Sequence, residues 1–322
     1  MKNYLIRRLI QTLPVLLGIT IIVFTLANAA PGNPTSNMMD PTMTAAERAR
    51  ILERFGMNQS VTVRYVNWLR EIVFHRNLGH STTFIVPVAQ VIGAHMWNTF
   101  YLSAVALAIS LLIGIPAGVI SATKQYSIRD GGLTIFSLIG ISMPSFFFAL
   151  LLIKWFAIDR QILPMAGMSQ PGMIDIGGWE YIKNVMLHTV LPAIVLGLGS
   201  TAGFMRYTRS SMLEVIRQDY IRTARAKGLG ERIVIYKHAL RNAMIPIITL
   251  LGFWIPGLFS GAFIVESIFA WPGMGTIGLR AISDRDYSLL MGVSFFLSFL
   301  TLLGNLTADI LYGFADPRIK YD

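Results

Sequence analysis

The chain has no cysteine among its 322 residues. Disulfides and thiolate metal sites are excluded outright, although that absence does not identify a compartment. Charge is also scarce. Asp, Glu, Lys and Arg make up 14% of the chain, where a soluble domain carries about a quarter. No Gly-Lys dipeptide occurs, so there is no Walker A loop. There is no Gly-x-Ser-x-Gly elbow, the usual sign of a serine hydrolase. The five histidines (His75, His80, His95, His188 and His238) fall at no metal-ligand spacing. Any energy the chain uses comes from another subunit or from a gradient.

What is abundant is apolar sequence. Hydrophobic residues are 54% of the chain and mean hydropathy is +0.57. The few charges crowd between long stretches that have none, as in a chain of spans and loops. The net charge of +10 and pI near 10.0 raise the question of nucleic acid. The distribution answers it. The basic residues sit at the ends of apolar runs, where membrane proteins collect them, so no nucleic-acid partner is expected.

The first apolar run covers residues 9–30, after Lys2, Arg7 and Arg8. It is long enough to cross a hydrocarbon core of about 30 Å. A cleaved signal peptide is the rival reading, with Ala27-Asn28-Ala29 resembling its cleavage site. Residues 31–97 are charged and form an extramembrane region. Thr44 and Glu47 read as a capping box opening a short helix that Gly56 ends. Val66, Leu69, Ile72 and Val73 fall at helical spacing within a second amphipathic segment, 63–74.

Five further spans follow, at 99–123, 133–153, 184–205, 242–265 and 288–308. Prolines 14, 116, 144, 192, 246 and 256 lie in five of the six spans and predict bent, packed helices. Ser110 and Ser137 read as helix-packing residues. Glu266 and Asp309 lie near span ends, where interfacial placement is the ordinary reading. Lys154 reads as snorkelling to the surface. Trp97, Trp155, Trp179 and Trp271 read as interfacial aromatics.

The short loops carry a clear bias. Lys124 and Arg129, the segment 206–241, and Arg318 and Lys320 share one face with the N-terminus. The positive-inside rule makes that face, and both termini, cytoplasmic. The expected fold is an all-α integral membrane protein of six transmembrane helices. An extracytoplasmic helical region follows the first span. The expected divisions are 1–96, a five-helix core 97–312 and a tail 313–322.

The segment 206–241 carries nine basic and three acidic residues. Leu213, Ile216, Tyr220 and Ala224 fall on one helical stripe. Gly228 and Gly230 interrupt it, and a second helical run covers 231–244. Helix, glycine turn, helix makes a compact knob that another protein can grip. An ordinary basic loop that holds topology is the plainer alternative.

Asp219-Tyr220-Ile221-Arg222-Thr223-Ala224-Arg225-Ala226-Lys227-Gly228-Leu229 resembles the conserved loop of ABC importer permeases of the oligopeptide and dipeptide class. Ala224, Gly228 and Leu240 fit the loop's general form. Arg222, Thr223 and Arg241 depart from it, in the way usual for the peptide subclass, which continues as in His238-Ala239-Leu240-Arg241-Asn242-Ala243. Further matches are Pro31-Gly32-Asn33-Pro34, Asn77-Leu78-Gly79-His80-Ser81, Ser142-Met143-Pro144-Ser145-Phe146, Glu266-Ser267-Ile268-Phe269-Ala270-Trp271-Pro272-Gly273-Met274-Gly275 and Asp316-Pro317-Arg318.

The resemblance implies a type I ABC importer permease in a bacterial plasma (inner) membrane. It implies a second, similar permease, two cytoplasmic ATPases that hold ATP and Mg, an extracytoplasmic substrate-binding protein, and no cofactor in this chain. It makes Asp219, Tyr220, Arg222, Thr223, Ala224, Arg225, Ala226, Lys227, Gly228, Leu229 and Leu240 the ATPase-docking residues, with no catalytic residue. Tyr220 and Leu229 are the expected anchors, and Arg222, Arg225 and Lys227 the expected partners for acidic groups. Peptides are the favoured cargo, with nickel or glutathione as alternatives. A gradient-driven carrier would show internal repeats and ionisable groups at mid-span, and neither is visible. Pathway-lining residues are not readable at this stage.

Overall fold

The computed structural model describes residues 2–29, 43–54 and 58–315. These residues are helical apart from connecting loops and an isolated bridge between His80 and Pro87. The Pro31–Pro34, Gly56 and Asp316–Arg318 expectations lie outside the described residues, as does the Asp309 side chain.

Helix α1 (Lys2–Ala29) contains the first span, as Ile10–Ala29. The capping box opens α2 (Ala45–Arg54): the Glu47 carboxylate accepts from the Thr44 N–H and hydroxyl, both at 2.8 Å. Those bonds hold the Glu47 carboxyl below its ordinary pKa. Helix α3 (Val61–His75) covers the second amphipathic segment. Leu69 and Ile72 of the expected stripe are half-buried, beside Tyr65 and Trp68. Tyr65 bonds Thr20 at 2.9 Å and meets Phe24 edge-on, and Trp68 meets Phe295 edge-on. Val66 and Val73 are exposed.

Helix α4 (Val88–Thr123) starts earlier than the expected span at 99. Its first turns are covered by apolar neighbours, so they stay helical outside the expected span. The run expected as one span at 133–153 is instead two helices, α5 (Ile128–Ser142) and α6 (Ser145–Leu152). They meet at 104°, and α6 continues as a π-helical turn, Ile153–Asp159. Proline explains the break. Pro144 has no N–H and forces the residue before it out of the helical region. Met143 is accordingly extended, at φ −75° and ψ 123°. Prolines 14, 116, 192, 246 and 256 stay inside continuous helices.

A single turn, α7 (Met173–Ile176), precedes α8 (Gly178–Ile216), which overruns its expected span at both ends. Then come α9 (Asp219–Ala226), α10 (Glu231–Ile233) with a π-helical segment Val234–Ala239, and α11 (Leu240–Ser260). The chain closes with α12 (Phe263–Ile268), α13 (Met274–Ser283) and α14 (Tyr287–Ala315). Among the described residues, five helices are long and apolar enough to cross a membrane, or six when the bent α5–α6 pair is counted as one span.

The core is the α4–α8 pair. Gly114 and Gly118 form a small-xxx-small face, the usual means of close approach between helices in membranes. A Cβ at Gly118 would lie 2.6 Å from the Met205 carbonyl oxygen, and one at Gly114 2.8 Å from that of Thr201. Ser110 donates to Ala106 and Gly197, and Ser137 to Ala202. Both serines serve packing, as expected. Ile22, Leu26, Leu112, Ile135 and Leu138 point outward, an apolar surface suited to lipid.

Candidate functional site

The basic segment folds as a braced knob at one end of the bundle. Helix α8 stops at Ile216, Arg217 caps it, and Gln218 is extended at ψ 150° before α9 begins. This interruption resets the helical phase. The inward residues of α9 are therefore Ile221 and Ala224, not the expected Tyr220 and Ala224. They pack with Val119 and Ala122 of α4, Met212 of α8, Val234 and Ile235 of the π segment, and Ala243 of α11. Burying an Ile side chain is worth roughly 2 kcal/mol, so Ile221 is the main anchor of α9. Leu240 packs against the same cluster, underneath the knob.

The turn after α9 is a Schellman closure. The Gly228 N–H donates to Arg225 O at 2.9 Å and the Leu229 N–H to Ala224 O at 3.4 Å. Gly228 has φ +77°, and nothing lies within 4 Å of the place where its Cβ would be. Backbone handedness therefore favours glycine here, and crowding plays no part.

Two of the expected charge partners are engaged inside the chain. Arg225 donates to both carboxylate oxygens of Glu231, at 3.1 and 2.7 Å. This pairing raises the Arg225 pKa above its ordinary value. Arg222 reaches Asp219 at 3.3 Å. Among the described residues, Lys227 has no ion pair. Thr223 donates to Asp219 O, and Ala226 lies on the exposed side. Tyr220 is 44% exposed and Leu229 37% exposed. The outward surface thus combines two apolar side chains, a free cation and two partly neutralised arginines.

An ion pair absent from the sequence reading lies just above the knob. Arg209 of α8 donates to both oxygens of Asp130 in α5, at 3.0 and 3.1 Å, and to Ser121 of α4 at 2.9 Å. Ser121 in turn donates to Asp130. Arg209 was expected only as one of many topology-setting charges. Its partner lies 79 positions away, and no sequence period links the two.

The opposite end holds a second knot. Glu266 is 1% exposed, buried inside the protein. Its carboxylate accepts from the N–H groups of Gly275 (2.8 Å), Thr276 (3.2 Å) and Ala262 (3.4 Å) and from the Thr99 hydroxyl (2.9 Å). A carboxyl group buried this deeply persists only with such hydrogen-bond partners. Trp271 is also fully buried, against the interfacial expectation. It donates to Asn98 O at 3.0 Å and stacks on Tyr101. Trp97, Trp155 and Trp179 are exposed, and Lys154 pairs with Asp159 at 2.8 Å. Among the described residues, no three side chains converge as metal ligands would.

Two family models match this sequence. Residues 1–102 match the N-terminal model of a binding-protein-dependent transport system membrane component. Residues 114–321 match the binding-protein-dependent transport system inner membrane component. The chain belongs to that family. Among curated relatives, the oligopeptide transport system permease protein AppB of Bacillus subtilis is 42% identical, with 100% of both chains covered. The dipeptide transport system permease protein DppB of Escherichia coli K12 is 36% identical, covering 100% of this chain and 99% of that protein. In fold the chain is similar to the inward-facing MetNI methionine ABC transporter. The TM-score is 0.52 at 16% identity, over 71% of this chain and 97% of the other. The architecture is that of a type I ABC importer permease, in a multi-pass membrane protein.

Proposed function

We propose that the chain is one permease subunit of an ATP-driven peptide importer in a bacterial plasma membrane. Both termini are cytoplasmic. A cytoplasmic ATPase seats on residues 219–229, and a similar second permease supplies the other half of the pathway. Two ATPases provide ATP hydrolysis with Mg, and an extracytoplasmic binding protein delivers cargo. This chain catalyses nothing itself. Peptide is favoured over nickel or glutathione because relatives that match end to end carry oligopeptide and dipeptide names.

The observation that carries this reading is the braced α9 knob. Its outer surface is exposed, while Ile221 and Ala224 pack it onto α4, α8, the π segment and α11. A push on α9 is therefore delivered to three spans together, because a packed interior transmits displacement. Closure of an ATPase pair on ATP would move two such knobs and rock the spans between inward-open and outward-open states.

The test is affinity purification from native membranes in mild detergent. Wild type is expected to bring down a second permease and two ATPases. Tyr220→Asp combined with Leu229→Asp is expected to keep the permease and lose the ATPases. Wild type that purifies alone and imports peptide in vesicles without ATP would overturn the proposal in favour of a gradient-driven carrier.

A further inference from the structure

Helix α3 belongs to the charged region after the first span, yet it is fastened to two spans. Tyr65 bonds Thr20 of α1 at 2.9 Å, and its ring lies 5.3 Å from that of Phe24. The ring of Trp68 lies 6.2 Å from that of Phe295 in α14. These contacts measure depth. The first span, Ile10–Ala29, has 20 residues. At ~1.5 Å per residue it is about 30 Å long, which matches the hydrocarbon core. Phe24 stands five residues before its outer end, so about 8 Å inside. Phe295 stands eight residues past the start of α14 at Tyr287, or about 12 Å along it. Two separate spans therefore put the inward rings of α3 among the outer acyl chains.

The sequence of α3 divides to suit that depth. Successive helical residues turn by about 100°. Tyr65, Trp68, Leu69 and Ile72 fall on the side of the spans. One flank carries Arg64, Glu71 and His75. Arg64 bonds Asn28, beside the outer end of α1, and Glu71 pairs with His75 at 3.4 Å. This flank is the upper one, toward water. The opposite flank carries Thr62, Val66 and Val73, and points toward the middle of the bilayer. Val66 is 55% exposed and Val73 62% exposed, and no residue of α3 is buried. The chain itself leaves the lower flank uncovered.

We propose that α3 is a membrane-surface helix sunk into the outer leaflet, with lipid acyl chains covering its Val66 and Val73 flank. Depth decides between occupants. A protein that docks from water meets the Arg64, Glu71 and His75 flank, while the valines lie beneath it. Helices of this type seat their apolar face roughly 5–10 Å into the boundary of headgroup and chain, the depth that Phe24 marks. Ile22 and Leu26 of α1, at a similar level, also point outward. Arg70 and Phe74 fall on the side of α3 away from the spans, and Phe74 is exposed. A long stem carries an arginine head to the headgroups, and aromatic rings favour that layer.

The position gives α3 a task. Past its end, Ser81 donates to Asp286, one residue before α14 begins. Helix α3 thus bridges the outer ends of α1 and α14. Lipid beneath it fixes the height of that bridge, because lifting it would bring apolar side chains into water.

The chain has no cysteine, so single nitroxide labels can be placed on it. The full chain is reconstituted in phosphatidylethanolamine–phosphatidylglycerol vesicles as Val66→Cys, Val73→Cys or Glu71→Cys. Ile22→Cys, on the outward face of α1, is the lipid reference. Collisions with oxygen, which gathers among acyl chains, are compared with those of a water-soluble nickel chelate. The oxygen-to-nickel ratio is expected to be several-fold higher at positions 66 and 73 than at 71, and to approach that at 22. Equal ratios at 66, 71 and 73 would overturn the proposal and leave α3 standing in water. Labels at 66 and 73 shielded from both probes would overturn it in favour of a protein partner. Thr62→Cys, on the same flank, replaces a valine variant that fails to insert.

Discussion

Arg225 on α9 grips Glu231 on α10 through two parallel hydrogen bonds, at 3.1 and 2.7 Å, and so fastens the turn built on Gly228. Both side chains are substantially exposed, and exposed pairs contribute below about 1 kcal/mol. Arg225→Ala is therefore expected to leave the unfolding temperature of the purified chain nearly unchanged. Its effect belongs on coupling: ATP-driven uptake falls, and exchanging the two charges (Arg225→Glu with Glu231→Arg) restores much of it. A double-mutant cycle on uptake checks this. Additive losses would mean that the pair does not act as a clasp.

Gly228 separates conformation from crowding. With φ +77° and open space around it, Gly228→Ala meets a backbone penalty of about 1 kcal/mol and no clash. Gly228→Asn, which tolerates the left-handed region better, is expected to fall between alanine and wild type. ATP hydrolysis stimulated by cargo, measured in reconstituted vesicles, should follow the order Gly, Asn, Ala.

The Asp130–Arg209–Ser121 cluster joins three helices at the base of the spans. Arg209 is partly exposed and Asp130 is not. Asp130→Ala is therefore expected to cost about 2 kcal/mol, between the values for exposed and buried pairs. Ser121→Ala removes a smaller contribution of about 1 kcal/mol. Thermal unfolding in detergent should rank them in that order, and the reverse order would count against the pair as the main tie.

At the other end, Glu266→Ala leaves four donors without their acceptor, at an expected cost of about 3 kcal/mol or more. Gly273→Ala is expected to do similar harm, since its Cβ would lie 2.5 Å from the Glu266 carboxylate. Both are read as loss of folded protein in the membrane fraction. A variant of either kind with wild-type yield would show that the knot is dispensable.

Particular elements show what a sequence exposes. The apolar runs mark six spans because burial in lipid demands length and lack of charge. Thr44 and Glu47 are legible because a capping box is local. The position of the α9 knob is legible from its charges and glycines. Its register is not. The phase reset at Arg217 and Gln218 turns Ile221 inward and Tyr220 outward, and neither residue is a strong helix breaker. Pro144 announces a bend, but the size of the break depends on α8 and α12 packing against α6. Asp130 and Arg209, or Glu266 and Thr99, meet only through the fold. Long-range pairing of this kind leaves no period to read.

The proposed seat for an ATPase is residues 219–229. The most direct measurement places a photo-activatable benzophenone on Tyr220→Cys in the intact importer. Trp179→Cys, exposed at the opposite end, serves as the control. The account predicts that light produces an adduct with an ATP-binding subunit at position 220 and none at position 179. A preparation that imports peptide with ATP, yet forms no such adduct at position 220, would contradict it.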